Sequence, residues 1–334
     1  MKIALLEAGH WHVPLYLDAI ARSGAELVGV SDAEDSAGRE IAARFGARFY
    51  TDFRELLANE KVDFAFAFGR HVAMPDIARA LIDRDIAFAI EKPCGLNAAD
   101  VARVRQLAEE RELYVAVPFV YRVSDLVRRF VDAEGALASD YNHLSFRCFA
   151  GPPARYQKAG CAWMLDKAAS GGGCTINLAG HFVDMVHVLT GSSVSAVSAM
   201  MSNRTYRTGI EDYSSMTLRC ANGAVALIET AYTFPMSGDE QREVNFTLSS
   251  DKSYLRSGLN EIRVRDRQTA QARAPLQADY ETDRYYALFV EQVLGEYRNG
   301  PRTVAGLCEA EAVMNVIDAA YRSADAGGTL QQLN

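Results

Sequence analysis

The first third of the chain alternates short apolar runs with longer helical patterns, and this alternation limits the possible folds more than any other feature. Because strands that alternate with helices usually pair in parallel through right-handed crossovers, the pattern predicts an α/β fold built on a doubly wound parallel sheet. Strands are predicted at Ile3 to Leu6, Leu27 to Ser31, Val62 to Phe68, Ile86 to Glu91 and Tyr114 to Val117. Helices are predicted between them at about Val13 to Ser23, Ser36 to Phe45, Met74 to Arg84 and Ala98 to Arg111.

The pattern changes after about Phe119, where strand signals follow one another with turns between them. Asn222-Gly223 indicates a hairpin turn between two of these strands. We therefore expect a C-terminal α+β domain with a large open, mainly antiparallel sheet. Strands are predicted at His143 to Phe149, Val194 to Met201, Met216 to Arg219, Ala224 to Thr230 and Val244 to Leu248, with helices at Gly171 to Thr190 and about Leu307 to Ser323.

Length and composition indicate a two-domain globular protein and exclude several classes of partner. At 334 residues, the chain predicts domains at 1–120 and 121–334. A net charge of −8 argues against nucleic acid and anionic membranes as partners. The six cysteines form no CxxC pair, and no apolar run is long enough to cross a bilayer. These features predict a cytoplasmic protein without a metal centre.

The turn after the first strand is the first candidate site. It reads Glu7-Ala8-Gly9-His10-Trp11-His12, and the second strand leads to Asp32. In a dinucleotide-binding unit, glycines admit the pyrophosphate and an acid about 20 residues later binds the ribose hydroxyls, which favours NAD over NADP. Only the middle glycine of G-x-G-x-x-G is present here, as Gly9. The alternatives are an ordinary strand-to-helix turn and an Asp32 that caps the next helix.

A second candidate lies at Glu91-Lys92-Pro93, where the strand from Ile86 ends. Lys92 would lie at the carboxyl edge of the sheet, where open α/β sheets bind ligands. An ammonium beside a nicotinamide ring suits proton relay or a hydrogen bond to a reacting hydroxyl. The alternative is a surface salt bridge between Lys92 and Glu91.

The third candidate follows Gly171-Gly172-Gly173. Asn177, His181 and Asp184 are spaced by four and three residues, which predicts one polar helix face. His181 is the natural acid/base, because an imidazole titrates near neutral pH. A structural histidine is the alternative. Metal binding is not expected, because no third ligand is evident beside His181 and Asp184.

These motifs together resemble the glucose-fructose oxidoreductase, inositol dehydrogenase and MocA (Gfo/Idh/MocA) family of NAD(P)-dependent oxidoreductases. The resemblance also includes Glu211-Asp212-Tyr213, Asn222-Gly223-Ala224 and Tyr321-Arg322-Ser323. It implies a Rossmann domain and an open-sheet domain that often forms homodimers or homotetramers. The chain departs from the family at Glu7, where glycine is usual, at Asn177, where aspartate is common, and at Phe68-Gly69-Arg70-His71, where Thr-Pro is familiar.

The resemblance also implies roles for the candidate residues. Lys92 and His181 would be catalytic, with Asn177 orienting a sugar, inositol or related polyol. Arg70 is expected either to contact phosphate or to be solvated together with His71. A relative that uses NAD without net redox, as a lyase or glycosidase, and a non-enzymatic regulator are the alternatives. The expected cofactor residues are Gly9, His10, Trp11, His12, Asp32, Gly69, Arg70, Glu91, Lys92 and Pro93, and the expected substrate residues are Tyr121, Arg122, Tyr156, Lys167 and Asp184.

Overall fold

The computed structural model of the chain describes residues 1–34, 37–135, 140–236 and 241–333. These residues fall into two compact units, each assembled from three segments of the chain. Unit 1 comprises Met1–Phe119, Ala154–Gly171 and Asp283–Glu311, and unit 2 comprises Val120–Pro153, Gly172–Thr282 and Ala312–Asn334. Two segments beyond residue 120 therefore belong to unit 1, and the domain boundary predicted at that residue stays a prediction.

The strands in chain order are β1 (Lys2–Leu6), β2 (Glu26–Ser31), β3 (Arg48–Tyr50), β4 (Phe64–Ala67), β5 (Ala87–Ile90), β6 (Val115–Ala116), β7 (His143–Ala150), β8 (Val194–Ser202), β9 (Tyr213–Cys220), β10 (Val225–Ala231), β11 (Arg242–Ser249), β12 (Ser253–Gly258), β13 (Glu261–Asp266), β14 (Leu276–Gln277) and β15 (Gln331–Gln332).

The α-helices are α1 (Pro14–Arg22), α2 (Gly38–Phe45), α3 (Phe53–Asn59), α4 (Met74–Ile82), α5 (Ala98–Glu110), α6 (Asp125–Glu134), α7 (Ala154–Lys158), α8 (Lys167–Ser170), α9 (Gly180–Thr190), α10 (Asp283–Asn299) and α11 (Leu307–Asp325). Short 3-10 turns form at His71–Ala73, Val120–Val123 and Ala162–Leu165, and a π-helical turn forms at Thr175–Ala179. Among the described residues, no helix combines the length and the apolar character needed to span a membrane.

Unit 1 contains the predicted parallel sheet. Its strands pair in parallel in the order β3-β2-β1-β4-β5-β6. The central strands β4 and β5 are buried along their whole length, as expected of a sheet covered on both faces. Helix α4 shows why the connections are helical, because Met74, Ile77, Ala78, Leu81 and Ile82 form one buried stripe.

The predicted elements of unit 1 are confirmed. Most of them are shorter than predicted, whereas β1 and β2 each begin one residue earlier. Ser36, the predicted first residue of one helix, lies outside the described residues. Five strands and helices in the described part of unit 1 were not predicted, namely β3, α3, α7, α8 and α10. Helix α10 packs against α1, and its buried residues include Tyr286 and Phe289.

Unit 2 contains the predicted open sheet. Its order over the described residues is β14-β13-β12-β11-β7-β10-β9-β8-β15. The pair β7–β10 is parallel and the others are antiparallel. The hairpin at Asn222-Gly223 is confirmed between β9 and β10, with φ of +91° at Gly223. Alternate residues of β7 are buried, so one face of the strand packs on the core of unit 2.

The helix predicted over Gly171 to Thr190 begins later, at Cys174, and it is not a regular α-helix throughout. Helix α8 ends at Ser170, and Gly171 follows it in the left-handed conformation with φ of +81°. The chain then forms the π-helical turn before α9 begins at Gly180. A π-helical turn changes the angular spacing of side chains, so Asn177 and His181 do not keep the relation of an ordinary α-helix.

Candidate active site

A cavity of about 600 Å³ lies at the carboxyl edge of the unit 1 sheet. The loops after β1, β2, β3 and β4 form it, together with Trp163 from the 3-10 turn at Ala162–Leu165. The sheet order makes β1 and β4 neighbours, with the chain continuing outward on both sides of them. Such a change of direction is where open α/β sheets bind ligands. The cavity brings together Gly9, His10, Asp32, Gly69 and Arg70 of the predicted cofactor residues.

Glu7 occupies the first glycine position of the nucleotide turn and retains a glycine-like backbone, with φ of +58°. Its carboxylate accepts hydrogen bonds from the Ser31 hydroxyl at 3.2 Å and the Ala33 N–H at 3.3 Å. Burial raises the pKa of the Glu7 carboxyl, and the Asp32 and Asp52 carboxylates raise it further. The turn therefore directs a partly desolvated acid to the wall of the cavity.

Asp32 caps the following helix, as the alternative interpretation predicted. Its Oδ2 accepts hydrogen bonds from the N–H groups of Ala37 and Gly38, at 3.0 and 2.9 Å, and its Oδ1 accepts one from Glu34. Capping is therefore one role of Asp32, and the residue also lines the cavity.

The loop after β4 supplies Gly69 and Arg70. Gly69 has φ of +127°, and a Cβ there would lie 2.9 Å from Cδ1 of Ile77, so a side chain would be strained at this position. The Arg70 guanidinium pairs with the Glu34 carboxylate, which also lines the cavity. His71 is buried, with 2% of its surface exposed, so the expectation that it is solvated is wrong.

Glu91 anchors a buried polar cluster directly after β5. Its Oε1 accepts a hydrogen bond from Tyr16 at 2.7 Å and lies 3.1 Å from Nδ1 of His12. The Tyr286 hydroxyl lies 3.4 Å from Nε2 of His12. His12 occupies the third glycine position of the turn. Its side chain fills the space that a glycine would leave open, and it contacts Glu91 and packs against Tyr286 there.

Lys92 follows Glu91 and is 6% exposed. Its backbone N–H donates to Oε2 of Glu91 at 3.1 Å, and its peptide bond to Pro93 is cis. A surface salt bridge, the alternative considered for this lysine, does not fit a side chain so deeply buried.

Of the remaining predicted residues of unit 1, Tyr156 contacts Trp11 and Lys167 does not take part in a described contact with it. Tyr156 is buried, with its ring 5.5 Å from the Trp11 ring, and it receives a hydrogen bond from Arg155. The Cys161 thiol lies 3.4 Å from the carbonyl oxygen of Gly9. Lys167, by contrast, is exposed at the start of α8.

Gly172 and Gly173, at the start of the second segment of unit 2, are needed because other groups occupy the space that a Cβ would take. A Cβ at Gly172 would lie 1.9 Å from the Tyr321 hydroxyl, and one at Gly173 would lie 2.0 Å from the backbone oxygen of Glu211. Oε1 of Glu211 accepts three hydrogen bonds, from the N–H groups of Gly173 and Thr175 and from the Tyr321 hydroxyl, at 2.8 to 2.9 Å. Glu211 therefore fixes the start of the π-helical turn.

The three side chains that were predicted to form one polar helix face have different partners in unit 2. The Asn177 amide donates to the Tyr232 hydroxyl at 2.9 Å, which an ionised aspartate could not do. The His181 ring meets Tyr121 edge-on at 5.9 Å, and the Asp184 carboxylate receives hydrogen bonds from both Nε and Nη2 of Arg122. The pair Tyr121-Arg122 therefore contacts both His181 and Asp184.

Several residues of these clusters were not among the predicted site residues. Tyr16 and Tyr286 bind the Glu91–His12 pair, Trp163 lines the cavity, and Tyr232 binds Asn177. The helical spacing of Tyr285, Tyr286, Phe289 and Val290 is a signal that could have located α10. Nothing in the sequence connects Trp163 with the first loop. No cluster of three metal-ligating side chains occurs among the described residues.

Comparison with known proteins identifies both halves of the chain. Residues 8–119 match the family profile described as an oxidoreductase family with an NAD-binding Rossmann fold, and residues 142–250 match the GFO/IDH/MocA C-terminal domain. The rhizopine catabolism protein MocA of Rhizobium meliloti is 23% identical over 242 residues, which cover 70% of this chain and 72% of that protein.

Solved structures share the fold along the whole chain. An oxidoreductase from Agrobacterium radiobacter, in complex with NAD+, L-tartaric acid and magnesium, superposes with a TM-score of 0.85 at 15% identity, covering 99% of this chain and 98% of that one. Levoglucosan dehydrogenase, in complex with NADH and levoglucosan, gives a TM-score of 0.84 at 16% identity, with 99% of each chain covered.

The unit 1 cavity fits the dinucleotide that these matches imply. Gly69 and Asp32 both line the cavity, which lies at the change of strand direction in the sheet. Glu7 is compatible because its carboxyl is engaged by Ser31 and Ala33 and its pKa is raised. Unit 1 thus contains an NAD-binding Rossmann domain, and the chain belongs to the Gfo/Idh/MocA family of oxidoreductases.

Proposed function

We propose that this protein is an NAD-dependent dehydrogenase that acts on a hydroxyl group of a sugar, inositol or related polyol. The observation that carries the proposal is the buried Lys92, which directly follows β5 at the carboxyl edge of a dinucleotide-binding sheet. A buried lysine at a ligand-binding edge is a functional candidate, because ionisable side chains held in buried environments cluster at functional sites.

The chain's own residues have distinct roles in this proposal. Lys92 donates a hydrogen bond to the substrate hydroxyl oxygen and stabilises the negative charge that develops there. His181 accepts the hydroxyl proton, and Asn177 orients the substrate. Bound NAD would supply the acceptor for the hydride that leaves the carbon bearing this hydroxyl, so that the alcohol becomes a carbonyl. We assign substrate contacts to Tyr121, Arg122 and Asp184, with Tyr156 and Lys167 as further candidates.

The acidic wall of the cavity supports NAD over NADP. Glu7, Asp32, Glu34 and Asp52 all line it, and the guanidinium of Arg70 is paired with Glu34. An additional phosphate on the ribose would meet this negative charge.

Replacement of Lys92 by alanine tests the assignment. We expect Lys92→Ala to lower kcat by about 10²- to 10⁴-fold while the Kd for NAD changes little, because the mutation removes an interaction with the reacting oxygen. The measurements are NADH absorbance over a panel of polyols and NAD titration by tryptophan fluorescence. Lys61→Ala, at an exposed lysine, is the matched control.

Other outcomes separate the alternatives. An unchanged kcat in Lys92→Ala would remove this lysine from the mechanism. Substrate consumption without accumulation of NADH would indicate a relative that uses NAD without net redox. A wild-type protein that gives no saturable response to NAD would favour the regulator.

We also propose that copies of the chain associate through the sheet of unit 2 as a homodimer or homotetramer. The apolar side chains that this sheet exposes include Met200, Val225 and Tyr254. Light scattering of the purified protein measures the oligomeric state directly.

The six cysteines are free thiols, which suits the reducing cytoplasm.

A further inference from the structure

Two buried histidines, His10 and His71, lie in the loops that follow β1 and β4 of unit 1. These strands are neighbours in the sheet, and β5, which leads to Lys92, is the next strand along. His10 lines the cavity. The family resemblance assigns no function to His71, which lies in the loop where the chain departs from the familiar Thr-Pro sequence.

The contacts of the His71 ring define which nitrogen carries the proton. Nδ1 lies 2.7 Å from the carbonyl oxygen of Ser170. A carbonyl oxygen only accepts hydrogen bonds, so Nδ1 is the protonated nitrogen. Burial lowers the pKa of His71 to about 4, and the charge of Lys92 also acts in this direction. At neutral pH, Nε2 of His71 is therefore a lone-pair acceptor.

His10 has the opposite arrangement. Its Nδ1 accepts a hydrogen bond from the backbone N–H of His12 at 3.2 Å. Burial lowers the pKa of His10 well below its usual value, and the neighbouring His12 lowers it further. The neutral ring must then carry its proton on Nε2, which makes this nitrogen a donor.

Both Nε2 atoms are available to a ligand. The described residues form no hydrogen bond with Nε2 of His10 or of His71. The two residues are 5% and 2% exposed, respectively. Both nitrogens retain some accessible surface, so a ligand hydroxyl can reach each of them in place of water. Both rings also contact Trp163, with centroid distances of 6.0 Å for His10 and 5.0 Å for His71.

We propose that His10 and His71 form a subsite for hydroxyl groups of a sugar ring, in which His10 donates a hydrogen bond and His71 accepts one. A hydroxyl group is both acceptor and donor, so it satisfies both nitrogens without introducing charge. An anion would meet the lone pair of His71, and a cation would meet the N–H of His10. Trp163 supplies the apolar wall that ligand sites place beside a few polar groups.

This inference rests on the proposed function, because a dehydrogenase of this class binds two molecules with suitable hydroxyls. One is the ribose of NAD, and the other is the polyol substrate. The chemistry of the subsite is the same for both, so the experiment must distinguish them.

Two variants remove the Nε2 groups while keeping the anchors. In His71→Asn the amide nitrogen can take the place of Nδ1 and donate to Ser170, and in His10→Asn the amide oxygen can take the place of Nδ1 and accept from His12. His71→Gln instead places an amide near the position of Nε2 and should restore part of the binding. Thermal unfolding of each variant shows whether it folds like the wild type.

The probes are NAD, ADP-ribose and ADP, titrated by tryptophan fluorescence, followed by steady-state kinetics with the polyol that the wild type oxidises. If the subsite binds the nicotinamide-side ribose, each Asn variant weakens binding of NAD and ADP-ribose by about 3- to 10-fold and leaves ADP unchanged. If it binds the substrate, all three Kd values stay constant and KM rises by a similar factor.

Two results would overturn the subsite. Folded variants with wild-type Kd, kcat and KM would assign both histidines a purely structural role. A loss confined to NAD, with ADP-ribose and KM unaffected, would point to the nicotinamide carboxamide instead of a hydroxyl. A wild-type protein that binds no NAD is a different failure, because it removes the proposed function first and the subsite with it.

Discussion

Glu7 combines a backbone conformation that usually selects glycine with a side chain that glycine lacks. A left-handed conformation costs an ordinary residue about 1 kcal/mol or more. The bonds from Ser31 and Ala33 hold the side chain in the turn. The sequence shows that a glycine is missing, but only the φ of +58° shows that the conformation is retained.

We expect Glu7→Gln to tighten NAD binding by about 3- to 10-fold at low salt, because it removes a carboxylate from the wall of the cavity that would receive the anionic dinucleotide. The effect should become smaller when the pH is lowered, since burial raises the pKa of Glu7 and the carboxyl is then neutralised at a higher pH than usual. Isothermal titration calorimetry measures both the tightening and its pH dependence. Glu26→Gln, at an exposed acid outside the cavity, should show neither, and equal tightening there would contradict a local effect.

His71 should make stability depend on pH. Its pKa is near 6.5 in the unfolded chain and about 4 in the folded protein. The contribution is fully present above pH 6.5 and is lost as the pH falls to about 4, with a slope of up to about 1.4 kcal/mol per pH unit. Urea unfolding should therefore give a shallower pH dependence for His71→Asn than for the wild type. His143→Asn, at an exposed histidine, is the control, and an equal change in both variants would refute the prediction.

At the scale of elements, the three glycines before the π-helical turn are needed for different reasons. Gly171 ends α8 with a positive φ, Gly172 leaves room for the Tyr321 hydroxyl, and Gly173 leaves room for the backbone of Glu211. The Glu211 carboxylate then binds the N–H groups that the start of the turn presents. The positions of Asn177 and His181 consequently depend on a segment distant in sequence.

Gly173→Ala should lower the free energy of unfolding by about 2 to 3 kcal/mol, because a backbone atom 2.0 Å away cannot give way as a flexible side chain can. Gly295→Ala should raise it by roughly 0.5 to 1 kcal/mol, since Gly295 lies inside α10 with no atom within 4 Å of the added Cβ. Urea unfolding of both variants checks the two signs. Equal changes in the free energy of unfolding would show that the close approach of the Glu211 backbone does not require glycine at position 173.

The sequence predicted the long elements because periodicity and burial agree in them. Helix α4 and strands β4 and β5 are such cases. The short strand β3 carries little periodic signal, with three residues of mixed exposure. Helix α10 is rich in Tyr, Phe and Val, residues that favour strands, and was not predicted.

The candidate site was predictable to a smaller extent. Loops that follow parallel strands must meet at one edge, so Gly9, Asp32 and Gly69 could be grouped from the sequence. Partners that come from distant segments could not be. Trp163 beside His71 and Glu211 beside Gly173 are such pairs, and each depends on tertiary packing with no local pattern.

At the scale of the whole molecule, electrostatics should influence the choice of cofactor. The chain has a net charge of −8, and the cavity wall adds local acids. Long-range repulsion depends on salt, because the Debye length falls from about 30 Å at 0.01 M to about 8 Å at 0.15 M.

The Kd of NADP relative to that of NAD should therefore fall several-fold when the ionic strength rises from 0.01 to 0.15 M. NADP carries an additional phosphate, so screening relieves its repulsion more than that of NAD. Parallel fluorescence titrations at the two salt concentrations measure both constants. A ratio that does not change with salt would show that short-range contacts alone select the cofactor.

The three-segment composition of unit 1 has a consequence for synthesis of the protein. Helix α10, at residues 283–299, packs on α1, where Tyr286 and Phe289 lie beside Tyr16. A nascent chain that has reached residue 120 already contains all six parallel strands, yet the apolar side of α1 still faces water. The nucleotide-binding unit therefore matures only when the ribosome has passed residue 311, and until then the exposed aromatic surface is a natural target for chaperones.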